Sequence, residues 1–216
     1  MSTLRSPEDA LLREATAVDA TVPPLPSVDL VAIGASAGGI DALMRLFHDL
    51  PQPWRLPLVV VLHLPDGRES QLSEIFARRL RMPVREAQDK APVAAGTLHF
   101  APPGYHLFIE RERLFSLSCE PPVLYSRPSI DLMMASAADA YGARLAGFVL
   151  TGANDDGARG LSAIAEAGGL TAVQQPDDAA MPHMPLAAIA ARQPDHVLPL
   201  PQLRQLLMQL DTAHAP

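Results

Sequence analysis

The sequence predicts an α/β protein with a doubly wound, mostly parallel sheet flanked by helices and interrupted by an antiparallel β-hairpin excursion. Three observations carry this. From Asp29 onward apolar runs alternate with amphipathic stretches, the pattern of successive βαβ units. One run, Leu58-Val59-Val60-Val61-Leu62, is continuously apolar and rich in β-branched residues, as suits a strand buried on both faces. Two further runs end in glycine-punctuated turns, Gly34-Ala35-Ser36-Ala37-Gly38 and Thr151 to Gly157, each followed by a helical pattern.

With 216 residues, of which 48% are hydrophobic and 19% charged, the chain is long enough for one well-buried core. Its formal net charge of −7 argues against non-specific binding to nucleic acid or to an anionic membrane. The single Cys119 closes no internal disulfide and no Cys/His cluster has zinc spacing, so neither metal nor cofactor is expected and a reducing cytoplasm is the natural setting. No apolar run approaches the roughly 20 residues of a membrane span, and Glu8 and Asp9 stand where a secretory signal needs an apolar core.

Residues 1–27 are expected to form a flexible tail or linker, with Leu11, Leu12 and Ala15 supporting a short helix at most before Pro23, Pro24 and Pro26. The domain proper is expected to span 28–212. Its first strand covers about Leu30 to Gly34, and its first helix, starting at Gly39, carries Leu43, Leu46, Phe47 and Leu50 at helical spacing until Pro51 and Pro53. The second strand runs from Leu58 to His63, Pro65-Asp66-Gly67 turns the chain, and Leu72, Ile75, Phe76 and Leu80 mark the next helix. Val84 to Ala87 is a short third strand. From Gly96 to Leu117 the runs Thr97–Ala101, His106–Glu110 and Leu114–Ser118 are read together as an antiparallel excursion with tight turns. Ser129 caps a helix through Leu132, Met133, Ala137 and Ala140. A strand at Leu145–Leu150, the polar turn at 151–157 and a helix with Leu161, Ile164 and Ala165 follow, ended by Gly168-Gly169. The chain closes with a strand at Leu170–Gln174, the loop Met181-Pro182-His183-Met184-Pro185, a helix near Leu186–Ala191 and a last helix near Leu200–Leu210.

In a parallel sheet the functional groups gather outside the carboxyl ends of the strands. Ser36, His63 and the 154–156 turn all stand at such ends. From the Ser36 turn alone a nucleophile, a phosphate or nucleotide site and plain packing all stay open. A dinucleotide fingerprint, however, wants glycine where Ser36 stands and an acid near the end of the second strand, where His63 stands. A serine hydroxyl needs a base, an imidazole supplies one near neutral pH, and Asp155 or Asp156 offers the acceptor that holds its other nitrogen. The order Ser, His, Asp differs from that of α/β-hydrolases, which excludes that fold without excluding the chemistry.

Gly34-Ala35-Ser36-Ala37-Gly38-Gly39, His63-Leu64-Pro65, Ala101-Pro102-Pro103-Gly104, Arg127-Pro128-Ser129-Ile130-Asp131 and Thr151-Gly152 through Asp156-Gly157-Ala158 occur in that order. Together they resemble the catalytic domain of the chemotaxis protein-glutamate methylesterases, the CheB family, over about residues 29–210. The resemblance implies Ser36 as nucleophile, His63 as general base and Asp156, rather than its neighbour, as the orienting acid. It further implies hydrolysis of glutamyl methyl esters on the cytoplasmic helices of chemoreceptors, with deamidation of certain glutamines. Backbone N–H groups of Ala37 and Ala153 are the candidate oxyanion donors. Arg127 is expected either near the substrate surface, on a carbonyl beside the site, or in a structural salt bridge; Met181 and Met184 are expected more often to pack the loop than to touch substrate, with Met184 a candidate substrate contact. His99, His106 and His183 are expected to be hydrogen-bonded or surface histidines, with His183 lining the site. Two departures from the family pattern bear on function. The 27 residues before the first strand are too few for a receiver domain, so activity is expected to be constitutive or controlled by a separate protein. Ala153-Asn154 replace the family's usual Met-Gly, which keeps open a catalytically silent domain that only docks on a receptor or signalling partner.

Overall fold

The computed structural model describes residues 25–64 and 71–214. The expected tail, apart from Leu25 to Ser27, and the Pro65-Asp66-Gly67 turn lie outside the described residues. Nine strands are described: β1 (Leu30–Ala35), β2 (Leu58–Leu62), β3 (Val84–Glu86), β4 (Leu98–Phe100), β5 (His106–Ile109), β6 (Phe115–Ser118), β7 (Leu145–Val149), β8 (Leu170–Gln174) and β9 (His196–Leu198). The six α-helices among them are α1 (Gly39–Leu46), α2 (Leu72–Ala77), α3 (Ile130–Tyr141), α4 (Ala158–Glu166), α5 (His183–Ala191) and α6 (Leu200–Ala213).

Seven strands form one sheet in the order β3-β4-β2-β1-β7-β8-β9, parallel at every pairing. After β1 the chain passes to β2, then to the edge strand β3 and back to β4 between them, before it returns to β7 and winds outward on the other side. The switch in direction lies between β1 and β7, the place where parallel sheets of this kind open a crevice at the carboxyl ends of their strands. The sheet's two faces bury separate apolar layers. Val31, Ile33 and Ala35 of β1 pack with Leu43, Leu46, Phe76, Leu203 and Leu207 on one face. On the other, Leu30 and Ala32 pack with Ile130, Met133, Leu161 and Met184. The alternation along β1 follows from the two-residue period of a strand.

The sequence reading needs three corrections. Thr97–Ala101 is not part of the antiparallel excursion: β4 is a parallel strand of the main sheet, with Leu98 opposite Leu58 on β2 and opposite Val84 on β3. Its three residues are all buried, so its neighbours on either side, rather than its own pattern, decide its place. Only β5 and β6 form the hairpin, with His106 opposite Ser118. The edge strand β9, too short and too exposed to show periodicity, escapes the sequence reading altogether. Helix α5 begins at His183, three residues before the expected start. The two Pro residues near its start, Pro182 and Pro185, tolerate a first helical turn, where their missing N–H groups have no partner to lose. Among the described residues no helix is long and apolar enough to cross a membrane.

One close approach sets the position of α3. A side chain at Gly34 would meet Ile130 Cγ2 at 2.4 Å, so the absence of a Cβ on β1 lets the first turn of α3 lie directly on the sheet. Gly34→Ala is therefore expected to destabilise the fold by about 1–3 kcal/mol. Combined with Ile130→Ala, the loss in urea denaturation should fall short of the sum of the single losses by ~1 kcal/mol or more. Strict additivity would show that the two residues do not share this contact.

Candidate active site

Ser36 stands one residue beyond β1. Its N–H donates to Thr151 O at 2.9 Å, and its carbonyl accepts from Gly39 N–H at 2.8 Å. Gly38, left-handed at φ 80°, turns the strand into α1. A Cβ there would meet that of Ala180 at 2.7 Å, so the turn demands glycine on both grounds. Because Ala35 pairs with Leu62 in register, the residue after β2 lies alongside Ser36, and His63 N–H donates to Ala35 O at 3.1 Å. On the other side Leu150 N–H donates to Gly34 O at 2.9 Å and leads the chain from β7 into the 151–157 turn. Three adjacent strand ends thus bring together Ser36, His63 and Asp156 from positions scattered over 121 residues, 36 to 156.

Asp156 is completely buried and its carboxylate accepts four hydrogen bonds. His63 Nε2 lies 2.9 Å from Oδ2, and the Ile130 N–H donates to the same oxygen at 2.7 Å. The Ser129 hydroxyl and the Asp131 N–H each donate to Oδ1 at 2.9 Å. The two N–H donors open α3, so the carboxylate also caps that helix and faces its positive end. Burial pushes the Asp156 carboxyl up, but the bonds from His63 and from the Asp131 and Ile130 N–H groups outweigh it and hold the group below the ordinary value of 3.8. Behind it, Ser129 N–H donates to His106 Nδ1 at 3.2 Å, and His106 Nε2 reaches Pro121 O at 3.1 Å.

A charged carboxylate only accepts, so the proton on this side of the His63 ring sits on Nε2. Nδ1 is then the basic nitrogen, turned away from Asp156. The Ser126 Oγ lies 3.4 Å from it and also accepts from Asn154 Nδ2 at 3.4 Å. Sequence reasoning missed Ser126, since a lone serine before Arg127 carries no pattern. It also missed the second acid, Asp131, although that residue lay within a quoted motif. The Ser36 hydroxyl makes no hydrogen bond among the described residues. An imidazole held by a buried carboxylate, with its free nitrogen beside the Ser126 hydroxyl, is equipped to take a proton from an attacking oxygen.

The remaining candidates fall at different distances from this centre. The N–H groups of Ala37 and Ala153 donate to no acceptor among the described residues, and both residues are exposed. Met184 is fully buried and packs on Gly152, where a Cβ would meet its Cε at 2.5 Å. The early start of α5 draws it beneath the turn, so it does not face substrate; Met181, 41% exposed, does reach the surface. Arg127 spends its guanidinium on Cys119 O and Glu120 O, both at 3.0 Å, tying down the segment before Ser126. His183 pairs with Asp155 at 2.7 Å at the exposed surface, which leaves Asp156 as the acid within reach of His63. His99 is buried, accepts from Ala94 N–H at 3.2 Å, and is pushed down to about 4 by burial. Among the described residues no group of three or more His, Cys, Asp or Glu is placed to hold a metal ion.

A family model described as CheB methylesterase matches residues 31–207. A Leptospira interrogans protein provisionally named protein-glutamate methylesterase/protein-glutamine glutaminase is 39% identical over 183 residues, which are 85% of this chain and 95% of that protein. The protein-glutamate methylesterase FrzG of Myxococcus xanthus is 35% identical over 186 residues, 86% of this chain but 56% of FrzG, so the chain spans little more than half of that relative. The crystal structure of the Thermotoga maritima CheB methylesterase catalytic domain superposes with a TM-score of 0.81 at 28% identity, covering 86% of this chain and all of that one. With a family match over most of the chain, relatives named protein-glutamate methylesterase and the fold of a CheB methylesterase catalytic domain, this chain belongs to the CheB methylesterase family.

Proposed function

We propose that this chain is a serine hydrolase that removes methyl groups from glutamyl esters on the cytoplasmic helices of chemoreceptor-like proteins, with Ser36, His63 and Asp156 as its triad. The observation that carries the reading is the 2.9 Å bond from His63 Nε2 to a buried, four-bonded carboxylate at the strand end beside Ser36. Ser36 Oγ attacks the ester carbonyl carbon while its proton passes to His63 Nδ1, and Asp156 holds the imidazolium that forms. Ser36 takes over the position of Ser126 at Nδ1 as it does so. The oxygen of the tetrahedral intermediate accepts from the unused Ala37 and Ala153 N–H groups, each such donor being worth about 10²–10³ in rate. Collapse breaks the bond to the methoxy oxygen, which leaves as methanol with the proton from Nδ1. Water then attacks the glutamyl-enzyme, His63 takes its proton, and glutamate and Ser36 are released. A glutamine side chain follows the same course with ammonia as leaving group. The Ala153-Asn154 pair, different from the family pattern, leaves a backbone N–H at Ala153 and adds the Asn154 amide to the Ser126 side of the imidazole.

Methanol release from methyl-esterified chemoreceptor cytoplasmic fragments should occur with the native chain and vanish with Ser36→Ala. With Asp156→Asn it should fall by about 10³–10⁴, the scale on which an orienting carboxylate matters. Native release no greater than that of Ser36→Ala across several receptors would favour a docking domain without turnover.

The charge on Asp156 leaves a signature in stability. Its folded value lies below the unfolded one, so its contribution is complete above the ordinary value of 3.8 and lost as pH falls through the folded value. Urea unfolding of the native chain against Asp156→Asn should show a difference in stability that shrinks as pH drops through and below 3.8. A difference independent of pH would show that the carboxylate is not held in its charged form.

A further inference from the structure

Asp156 has a neighbour of the same charge. Asp131, in the first turn of α3, is 7% exposed and lies against the turn that carries Asp156. Its Oδ1 accepts from Gly157 N–H at 2.9 Å and from Gly160 N–H at 2.8 Å. Among the described residues its Oδ2 is buried without a hydrogen-bond partner, and the exposed Arg159 guanidinium stands 3.6 Å away. Arg159 and Asp156 are the charged groups that face it.

The arrangement is reciprocal. Asp156, just before α4, accepts the first N–H groups of α3; Asp131, just inside α3, accepts the first N–H groups of α4. Each helix start is capped by an acid from the other. Helix α4 needs this, because its own N-cap is Gly157 at φ 104°, with no side chain to offer. The 154–157 turn has weaker ties of its own: Asp156 N–H to Asn154 Oδ1 at 3.3 Å and Ala158 N–H to Asp155 O at 3.2 Å. Asp131 thus holds the N–H of the residue after Asp156 at 2.9 Å, and the Leu161 N–H holds that residue's carbonyl at the same distance from within α4. Room for the contact comes from Gly160, where a Cβ would meet Asp131 Cα at 2.9 Å and Asp131 O at 3.0 Å.

We propose that Asp131 is a positioning residue for the hydrolysis, its carboxylate gripping the Gly157 and Gly160 N–H groups so that Asp156 stays on His63 Nε2. It touches neither substrate nor the reacting atoms, and it acts through Asp156. The proposal rests on the triad reading above. What the role requires is an acceptor, not a charge. Burial pushes the Asp131 carboxyl up, the Gly160 N–H opposes this, and the negative Asp156 pushes it further up, for a net rise. A neutral acceptor at this position relieves that repulsion and keeps the grip.

The test compares the full chain with Asp131→Ala and Asp131→Asn, at a temperature where circular dichroism shows each folded. Two quantities are read: kcat and KM for methanol release from methyl-esterified chemoreceptor fragments, and the downfield proton resonance of His63 Nε2–H in the substrate-free protein. Asp131→Ala should lower kcat by about 10- to 100-fold, the scale of a small misplacement at a reacting centre, with KM within about threefold, and should broaden or abolish the resonance. Asp131→Asn should restore kcat to within about threefold and retain the resonance. Asp131→Ser, whose hydroxyl is too short to reach both N–H groups, carries the alanine expectation if Asp131→Ala does not fold. Wild-type kcat with the resonance intact in the alanine or serine chain would overturn the proposal, as would Asp131→Asn failing to improve on it. If the native chain hydrolyses no glutamyl ester, the function reading fails, and the resonance comparison still decides whether Asp131 places Asp156.

Discussion

A carboxylate that gives up all contact with water must be repaid by hydrogen bonds, and Asp156 takes four. Much of the site follows from meeting that demand. Two donors come from the start of α3, one from the Ser129 hydroxyl that also caps the same helix, and one from His63. The fold thereby uses one buried charge twice, to begin a helix and to orient an imidazole. Removing the carboxylate would strand two backbone N–H groups, the Ser129 hydroxyl and the histidine, which ties the geometry of the proposed triad to the packing of α3 on the sheet.

That packing depends in turn on small residues. Gly34 admits Ile130 to the sheet, Gly157 leaves room for the same side chain at 2.9 Å, and Gly160 admits the backbone of Asp131. Parallel strand order then does the rest: β2, β1 and β7 are neighbours, so residues that follow them emerge side by side at the point where the winding changes direction. The chemistry sits on strand ends and helix starts, where backbone N–H groups are free to bind negative charge.

Much of this was legible in the sequence because it is local. The Gly-x-Ser-x-Gly turn needs positive φ at Gly38 and has it, and Ser129 is the N-cap its position before an apolar-periodic stretch suggests. The continuously apolar β2 lies inside the sheet with both faces buried. What could not be read depends on partners distant in the chain. Leu98-His99-Phe100 joins the main sheet because β2 and β3 pair with it on either side, while its own three residues would suit a hairpin equally well. Pro182 and Pro185 suggest a loop around Met184, yet both prolines fit the first turn of a helix and the Met184 side chain packs inward. Ser126 and Asp131 matter through what they face across the fold, His63 at 3.4 Å and the N–H groups of Gly157 and Gly160, and no pattern in one sequence marks such pairs.

In the proposed reaction the basic nitrogen of His63 activates Ser36 and not Ser126, whose hydroxyl lies 3.4 Å from it. Labelling the native chain with a fluorophosphonate, followed by peptide mapping, tests it most directly, because such reagents mark the serine whose oxygen is made nucleophilic. A single adduct is expected on Ser36, absent from the His63→Gln chain. An adduct on Ser126, or labelling of Ser36 that persists without His63, would contradict it.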